Sequence, residues 1–334
     1  VSTLAFFSNK AGVGQTALVS HLAWMFAERG VPVLAVDLDP QSNLTSMFLT
    51  DERVQALWAA NQTVFAAVRQ TVFASARPLV DRSGDVAPVH VEPVAPNLHL
   101  VVGDLSLSRF EDLLAESWSK CLTGEVGAFR VMSAVHRIIA EAADRVGAAI
   151  VLIDLGPNLG PLNRAALLAA DHIVLPLAPD LFSLQGMESL GPTLREWREG
   201  WAKRVGELHD ASVEVPRGAV SPIGYVLMSF GVRDSRPVRA DDDWIAKIPR
   251  TYREVVLDQH GGPVPAAEDD PFLLAGLKHY RSLMPMAMAA RKPMFTLKQA
   301  DGARGAHLDA VRACYDDFFR LAVRVGGLVG VTVV

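Results

Sequence analysis

The segment Ser8-Asn9-Lys10-Ala11-Gly12-Val13-Gly14-Gln15-Thr16 separates a short apolar run, Thr3 to Phe7, from a stretch of helical period. A strand that turns through glycines into a helix leaves backbone amides and a helix N-terminus facing one point, where an anion can sit. Gly12 and Gly14 permit close backbone approach and left-handed turns. Thr16 supplies a hydroxyl of the kind that ligates Mg²⁺ beside bound phosphates. The ordinary pattern G-x-x-x-x-G-K-[ST] nevertheless fails twice, at Asn9 for the first glycine and at Gln15 for the lysine.

Such a loop belongs at the carboxyl end of a buried parallel strand, and the remaining sequence supplies the partners. Apolar runs at Thr3 to Phe7, Val33 to Asp37, Leu98 to Val102, Ala149 to Asp154, His172 to Leu177 and Ile223 to Ser229 predict strands. Helices are predicted over Thr16 to Arg29, Arg109 to Glu116, Arg130 to Arg145, Leu162 to Ala170, Met187 to Leu208 and His307 to Val325. In the first, Leu18, Leu22, Met25 and Phe26 form one stripe and Gly30 marks the stop. This alternation predicts an α/β fold, a doubly wound, mostly parallel sheet flanked by helices. One domain over 1–334 is expected, with inserted loops near 51–96 and 210–222. Polar or Pro-bearing connections are expected at Asp81 to Pro96, Asp210 to Pro222 and Asp258 to Pro271.

Composition removes other classes. Half of the 334 residues are apolar and 21% charged, which excludes a disordered, collagenous or coiled-coil chain. Cys121 and Cys314 are too few and too far apart for a disulfide framework or a Cys-rich zinc site, so a reducing cytoplasm is expected. No targeting or spanning segment is read; the apolar tail Val325 to Val334 is about half of the roughly 20 residues a membrane helix needs. The missing initial Met predicts trimming ahead of Val1. His21 reads as a packed or capped side chain.

Despite its departures, the loop resembles the deviant Walker A loop of the ParA/MinD family of ATPases, K-G-G-V-G-K-[ST], with Ala11 in place of its first glycine. The resemblance implies ATP or ADP with Mg²⁺ on Lys10, Ala11, Gly12, Val13, Gly14, Gln15, Thr16 and Ala17. It also implies a sandwich homodimer in which Lys10, the signature lysine, reaches the partner's nucleotide. Gln15 can donate a hydrogen bond to phosphate but cannot offset its charge, so weakened ATP binding and little hydrolysis are expected. An introduced Lys→Gln change and a natural pseudo-ATPase are both open; the intact remainder of the site favours the former.

Two acidic strand ends extend the resemblance. Asp37-Leu38-Asp39-Pro40-Gln41-Ser42-Asn43 looks like the ParA branch's D-x-D-P-Q-x-N motif, which implies that Asp39 orients the attacking water and Asp37 holds the metal's hydration shell. Ile150 to Asp154 has Walker B form, an apolar strand delivering Asp154 to Mg²⁺, with Gly156 where the family commonly has proline. Asn163 to Asp171, Phe182 to Gly186 and Ala290 to Phe295 resemble later family elements. Ile248-Pro249 resembles the segment whose backbone lies near the adenine, and Met228-Ser229 a base-contacting position.

The ParA branch implies nonspecific DNA as partner, a ParB-like adaptor that stimulates hydrolysis, and nucleoid association when ATP is bound. The net charge of −5 argues against a dedicated polycation. It divides into 12 basic against 19 acidic residues over 1–194 and 17 against 15 over 195–304. Arg233, Arg236, Arg239, Lys247 and Arg250, with Arg253 following, form the candidate DNA face. The alternatives are a nucleotide-sensing scaffold without turnover, a MinD-like membrane role disfavoured by the mixed charge of the last helix, an iron–sulfur carrier for which the cysteines are unsuited, and a metabolic ligase whose substrate pocket is not identifiable.

Overall fold

The computed structural model describes residues 1–62, 70–210, 212–230, 232–233, 236–237, 239–280 and 282–334, with side chains described except at 60–62, 229–230, 232–233, 236–237 and 239–241. Its strands are β1 (Ser2–Phe6), β2 (Val33–Asp37), β3 (Glu92–Ala95), β4 (Leu98–Val101), β5 (Ile150–Asp154), β6 (His172–Leu177), β7 (Ser221–Phe230), β8 (Val232–Arg233), β9 (Arg236–Pro237) and β10 (Leu273–Lys278). Eight form one sheet in the order β10-β7-β6-β1-β5-β2-β4-β3, while β8 and β9 pair separately. Every pair in the large sheet is parallel except β3 with β4 at the edge.

The helices are α1 (Gln15–Glu28), α2 (Asn43–Phe48), α3 (Asp51–Gln62), α4 (Val72–Val80), α5 (Ser108–Lys120), α6 (Val126–Met132) and α7 (Ala134–Val146). They continue with α8 (Pro161–Ala169), α9 (Leu181–Gly206), α10 (Arg239–Ile245), α11 (Ile248–Thr251), α12 (Leu283–Ala290) and α13 (Ala306–Val329). Alternating strand residues face opposite layers. Ala5, Val36, Ile153 and Leu175 join a core with α5, α7, α8 and α9, whereas Leu4, Ala35, Leu152 and Val174 join a second core with α1 and α13. Cys121 lies in the first core and Cys314 in the second, so the sheet stands between the two thiols.

His21 is buried on α1, where Nδ1 donates to the Ala17 carbonyl at 2.7 Å and Nε2 accepts from the Met294 amide at 3.0 Å. Burial lowers its pKa to about 4, so the imidazole is a neutral bridge between α1 and the segment before α13.

Several predicted boundaries move for identifiable reasons. The single helix over Arg130 to Arg145 is two, α6 and α7, which meet at a turn on Ser133 (φ −88°, ψ −3°). Helix α9 starts at Leu181, six residues before the predicted Met187, since Asp180 caps it by accepting from the Ser183 amide at 2.9 Å. Residues 51–96, read as an inserted loop, hold α3, α4 and β3; Pro93 concealed β3 and is tolerated there because β3 is an edge strand. Strand β10 was not predicted: Leu273–Lys278 holds no β-branched residue, and Ala275-Gly276 interrupts its apolar run.

A tight contact fixes α9 against the turn Tyr252–Val256. A Cβ on Gly191 would lie 2.1 Å from the Val255 carbonyl oxygen, which also accepts from Arg195 at 2.7 Å. Tyr252 in turn packs between Tyr225 and Phe272 at ring distances of 5.2 and 5.3 Å. Gly191→Ala is therefore expected to lower unfolding free energy by about 2 kcal/mol or more in urea titrations. Gly206→Ala, at an open site on the same helix, should be neutral or slightly stabilising; equal effects would reject the close-packing account.

Candidate functional site

β1 delivers the chain to the loop at the sheet's carboxyl edge, and the loop turns twice through left-handed backbone, at Gly12 (φ 75°) and Gly14 (φ 94°). Gly14 occupies the N-cap of α1, where no side chain caps the helix. The first-turn amides thus remain available to an external acceptor. They face a cavity of about 610 Å³ whose lining includes Lys10, Gly14, Thr16, Asp39 and Asp51. Ala11 and Gly12 lie exposed on the loop, Val13 is buried beneath it, and Ala17 joins the cavity wall.

Gln15 does not present its amide protons to that cavity. Nε2 donates to Asp154 Oδ1 at 2.8 Å and to the Leu155 carbonyl at 2.7 Å, and the side chain is buried. A carboxamide nitrogen carries two protons, so both are consumed by the end of β5. The position is occupied without an unpaired donor and without charge.

Register explains how the acids meet. Asp37 is the direct partner of Asp154 across β2 and β5, and Phe6, the last residue of β1, is the partner of Asp154 on the other side. Both carboxyls are fully buried. Burial raises the Asp37 pKa to about 8, reinforced by Asp154 and opposed by hydrogen bonds from Thr45. Burial also raises Asp154 to about 7, with Asp39 adding to the rise and hydrogen bonds from Gln15 and Thr16 opposing it. Asp37 Oδ2 accepts from the Thr45 amide at 2.8 Å and hydroxyl at 2.7 Å. Asp154 Oδ2, in contrast, is buried with no hydrogen-bond partner. Asp39 borders the cavity and accepts from the Gln41 amide at 3.0 Å.

Thr16 and Asp154 are thus in contact, while Asp37 stands one strand away with its outer oxygen saturated by Thr45. Among the described residues no three His, Cys, Asp or Glu side chains form a self-sufficient metal cage. That donor set suits a cation which takes its remaining ligands from phosphate oxygens and water, as Mg²⁺ does. The orphaned Asp154 Oδ2 is the polar atom such a hydrated ion would satisfy.

Lys10 forms an ion pair with Asp180, the N-cap of α9, 170 residues away, with one third of its side chain exposed. On the opposite flank of the loop, a second cavity of about 220 Å³ is lined by Met228, Leu277, His279, Tyr280 and Met284, among others. Met228 lies beside Gly14, its Cε 3.2 Å from where a Cβ on that glycine would stand. Ile248 and Pro249 do not line this cavity: they open α11, and Ile248 is buried in the α9-side core with Tyr252. The carboxyl end of β10 and the start of α12 line the cavity. Recognising Leu273–Lys278 as a strand beside β7 was the signal that would have found them.

Among the candidate DNA residues, Lys247 is exposed with its ammonium over the Trp244 ring at 4.6 Å. Arg250 is 63% exposed and pairs with Glu254 at 3.0 Å. Arg253 is committed inward to buried Asp270, through contacts of 2.6 and 3.0 Å, and leaves the DNA face. Arg233, Arg236 and Arg239 lie on β8, β9 and α10, and their side chains are outside the described residues. No described helix is long and apolar enough to cross a membrane.

A protein-family profile described as an AAA domain matches residues 1–205. The chromosome-partitioning ATPase Soj of Thermus thermophilus is 29% identical over 205 residues, 61% of this chain and 66% of Soj. ParA of Caulobacter vibrioides is 28% identical over 270 residues, 78% of this chain and 85% of ParA. IncC of Escherichia coli is 28% identical over 203 residues, 61% of this chain, which spans only about half (48%) of IncC. Among solved structures, DIP2308 of Corynebacterium diphtheriae gives a TM-score of 0.66 at 26% identity, covering 87% of this chain and 97% of that one. A variant McdA–ATP complex from Cyanothece gives 0.61 at 15% identity, covering 99% and 97%, a likeness of fold alone. The profile covers more than half of the residues, and on that match the chain belongs to the ParA/MinD family of P-loop ATPases.

Proposed function

We propose that the chain is a ParA-type nucleotide switch: ATP drives homodimerisation and nonspecific DNA binding, and a ParB-like adaptor stimulates hydrolysis and release of a partitioned cargo. The observation that carries this reading is the position of Lys10. It sits at the rim of the loop cavity, one third exposed, held by a single carboxylate at a helix cap. An ammonium so placed can exchange Asp180 for the phosphates of a second copy, where it would offset charge developing on the transferred group. Asp39, at the cavity wall, is the carboxylate suited to orient a water. Thr16 and Asp154 are the residues that would hold Mg²⁺, with Asp37 behind them; the ion would neutralise phosphate charge.

Gln15 limits the switch. With its two amide protons on Asp154 and Leu155, no charge-assisted contact reaches phosphate from this position, and such contacts are about twice as strong as neutral ones. A second reading, a nucleotide-sensing scaffold without turnover, draws support from the same observation, since Gln15 satisfies its buried surroundings. The exposed Lys247 and Arg250 are the described side chains offered to DNA phosphates.

Gln15→Lys should raise ATP affinity at least about tenfold and produce adaptor-stimulated phosphate release. The same variant should bind DNA in a salt-sensitive manner with ATP and weakly with ADP. Equal DNA affinity with both nucleotides rejects the switch and leaves the scaffold.

The buried acids make a separate prediction. Asp154 ordinarily titrates at 3.8 and here at about 7, so between these values the folded chain keeps a proton that the unfolded chain has lost. Its stabilising contribution is complete below about pH 4 and disappears as pH rises through 7. Unfolding free energy should therefore fall with pH across that window by up to about 1.4 kcal/mol per unit for this proton. Asp154→Asn should remove that part of the slope in urea titrations from pH 5 to 7; an unchanged slope contradicts it.

A further inference from the structure

We propose that Arg291 is a phosphate-binding residue of the loop cavity, supplying from the α12 side the positive charge that the loop lacks at position 15. This rests on reading the cavity as a nucleotide site. Lys10 and Arg291 are the cationic side chains among its described lining, and Lys10 is engaged at the rim by Asp180. Arg291 is 29% exposed and reaches across the cavity from the C-cap of α12: one guanidinium nitrogen donates to Asp51 Oδ1 at 2.7 Å and another to the Ser46 carbonyl.

Three features distinguish this contact from an ordinary surface pair. Asp51, its carboxylate partner, is 77% exposed and also lines the cavity, so an incoming phosphate competes with Asp51 on the ground where the guanidinium already lies. A planar guanidinium accommodates either acceptor through paired N–H donors. The backbone of Arg291 is left-handed, φ 51°, a conformation in which glycine is the usual C-cap residue. An arginine there sets a long cationic side chain against an unfavourable backbone. Finally, Met284 and Met288 on α12 line the same cavity, and Met284 also lines the second one beside Met228. Arg291 thus anchors the helix that borders both parts of the site, and nucleotide entry would transfer that anchor from Asp51 to phosphate.

The test is equilibrium titration of the full chain with fluorescent ATP and ADP analogues in the presence of Mg²⁺, with thermal unfolding recorded for each variant. Arg291→Gln should weaken binding by about ten- to a hundredfold, and Arg291→Gly should do the same while unfolding within a few degrees of the unaltered protein, because glycine suits the backbone. Asp51→Asn should tighten binding about three- to tenfold by removing the competitor. Unchanged affinity in both Arg291 variants of a chain that binds nucleotide overturns the assignment alone. Asp51→Asn weakening binding as much as Arg291→Gln also overturns it, since the pair is then a strap. An unaltered chain that binds neither analogue overturns the nucleotide reading and this assignment with it.

Discussion

Two carboxyl groups, Asp37 and Asp154, face one another on adjacent strand ends inside the protein, and the site is arranged around the need to tolerate them. Parallel register sets their proximity, and burial gives each a strong preference for its neutral form. Thr45 relieves one, and Gln15 with Thr16 partly relieves the other. In a loop carrying lysine at position 15 a cation would stand in that relieving role. Here an uncharged amide does so, and the electrostatic deficit of the cavity is left to its walls.

The parts of this arrangement legible in the sequence are those where chemistry and burial coincide in consecutive residues. The loop from Ser8 to Thr16 and the strand ends at Asp37 and Asp154 each join an apolar run to a distinctive polar residue, so position in the sheet follows from the run itself. The second cavity was less accessible. Topology decides which strand end borders it, and that strand is β10, whose apolar run is interrupted by Ala275-Gly276; the Ile248-Pro249 dipeptide stands on α11. The start of α9 was hidden because Phe182-Ser183-Leu184-Gln185-Gly186 reads as a turn until Asp180 is seen capping a helix. Contacts such as Lys10 with Asp180, or Arg291 with Asp51, bridge 170 and 240 residues and leave no local pattern.

The cavity walls also carry an asymmetry. The loop side presents backbone amides whose direction is set by two left-handed glycines. The α12 side presents methionines and one arginine held by an exposed acid. Methionine adapts its shape readily, so the first wall is geometrically fixed and the second adjustable. The neutral His21 bridge joins them, since it links the loop's own helix to Met294 at the second cavity.

The sheet order has a consequence for biosynthesis. β1, which carries the loop, is made long before its neighbours β5 and β6, which begin at residues 150 and 172. Pairings of such long separation close slowly because chain entropy opposes them. The loop therefore emerges well before the strands that fix its shape, and α1, which packs on β2 and α2, keeps the face that meets α13 uncovered until that helix follows. A nascent chain of this kind carries a long interval of exposed apolar surface.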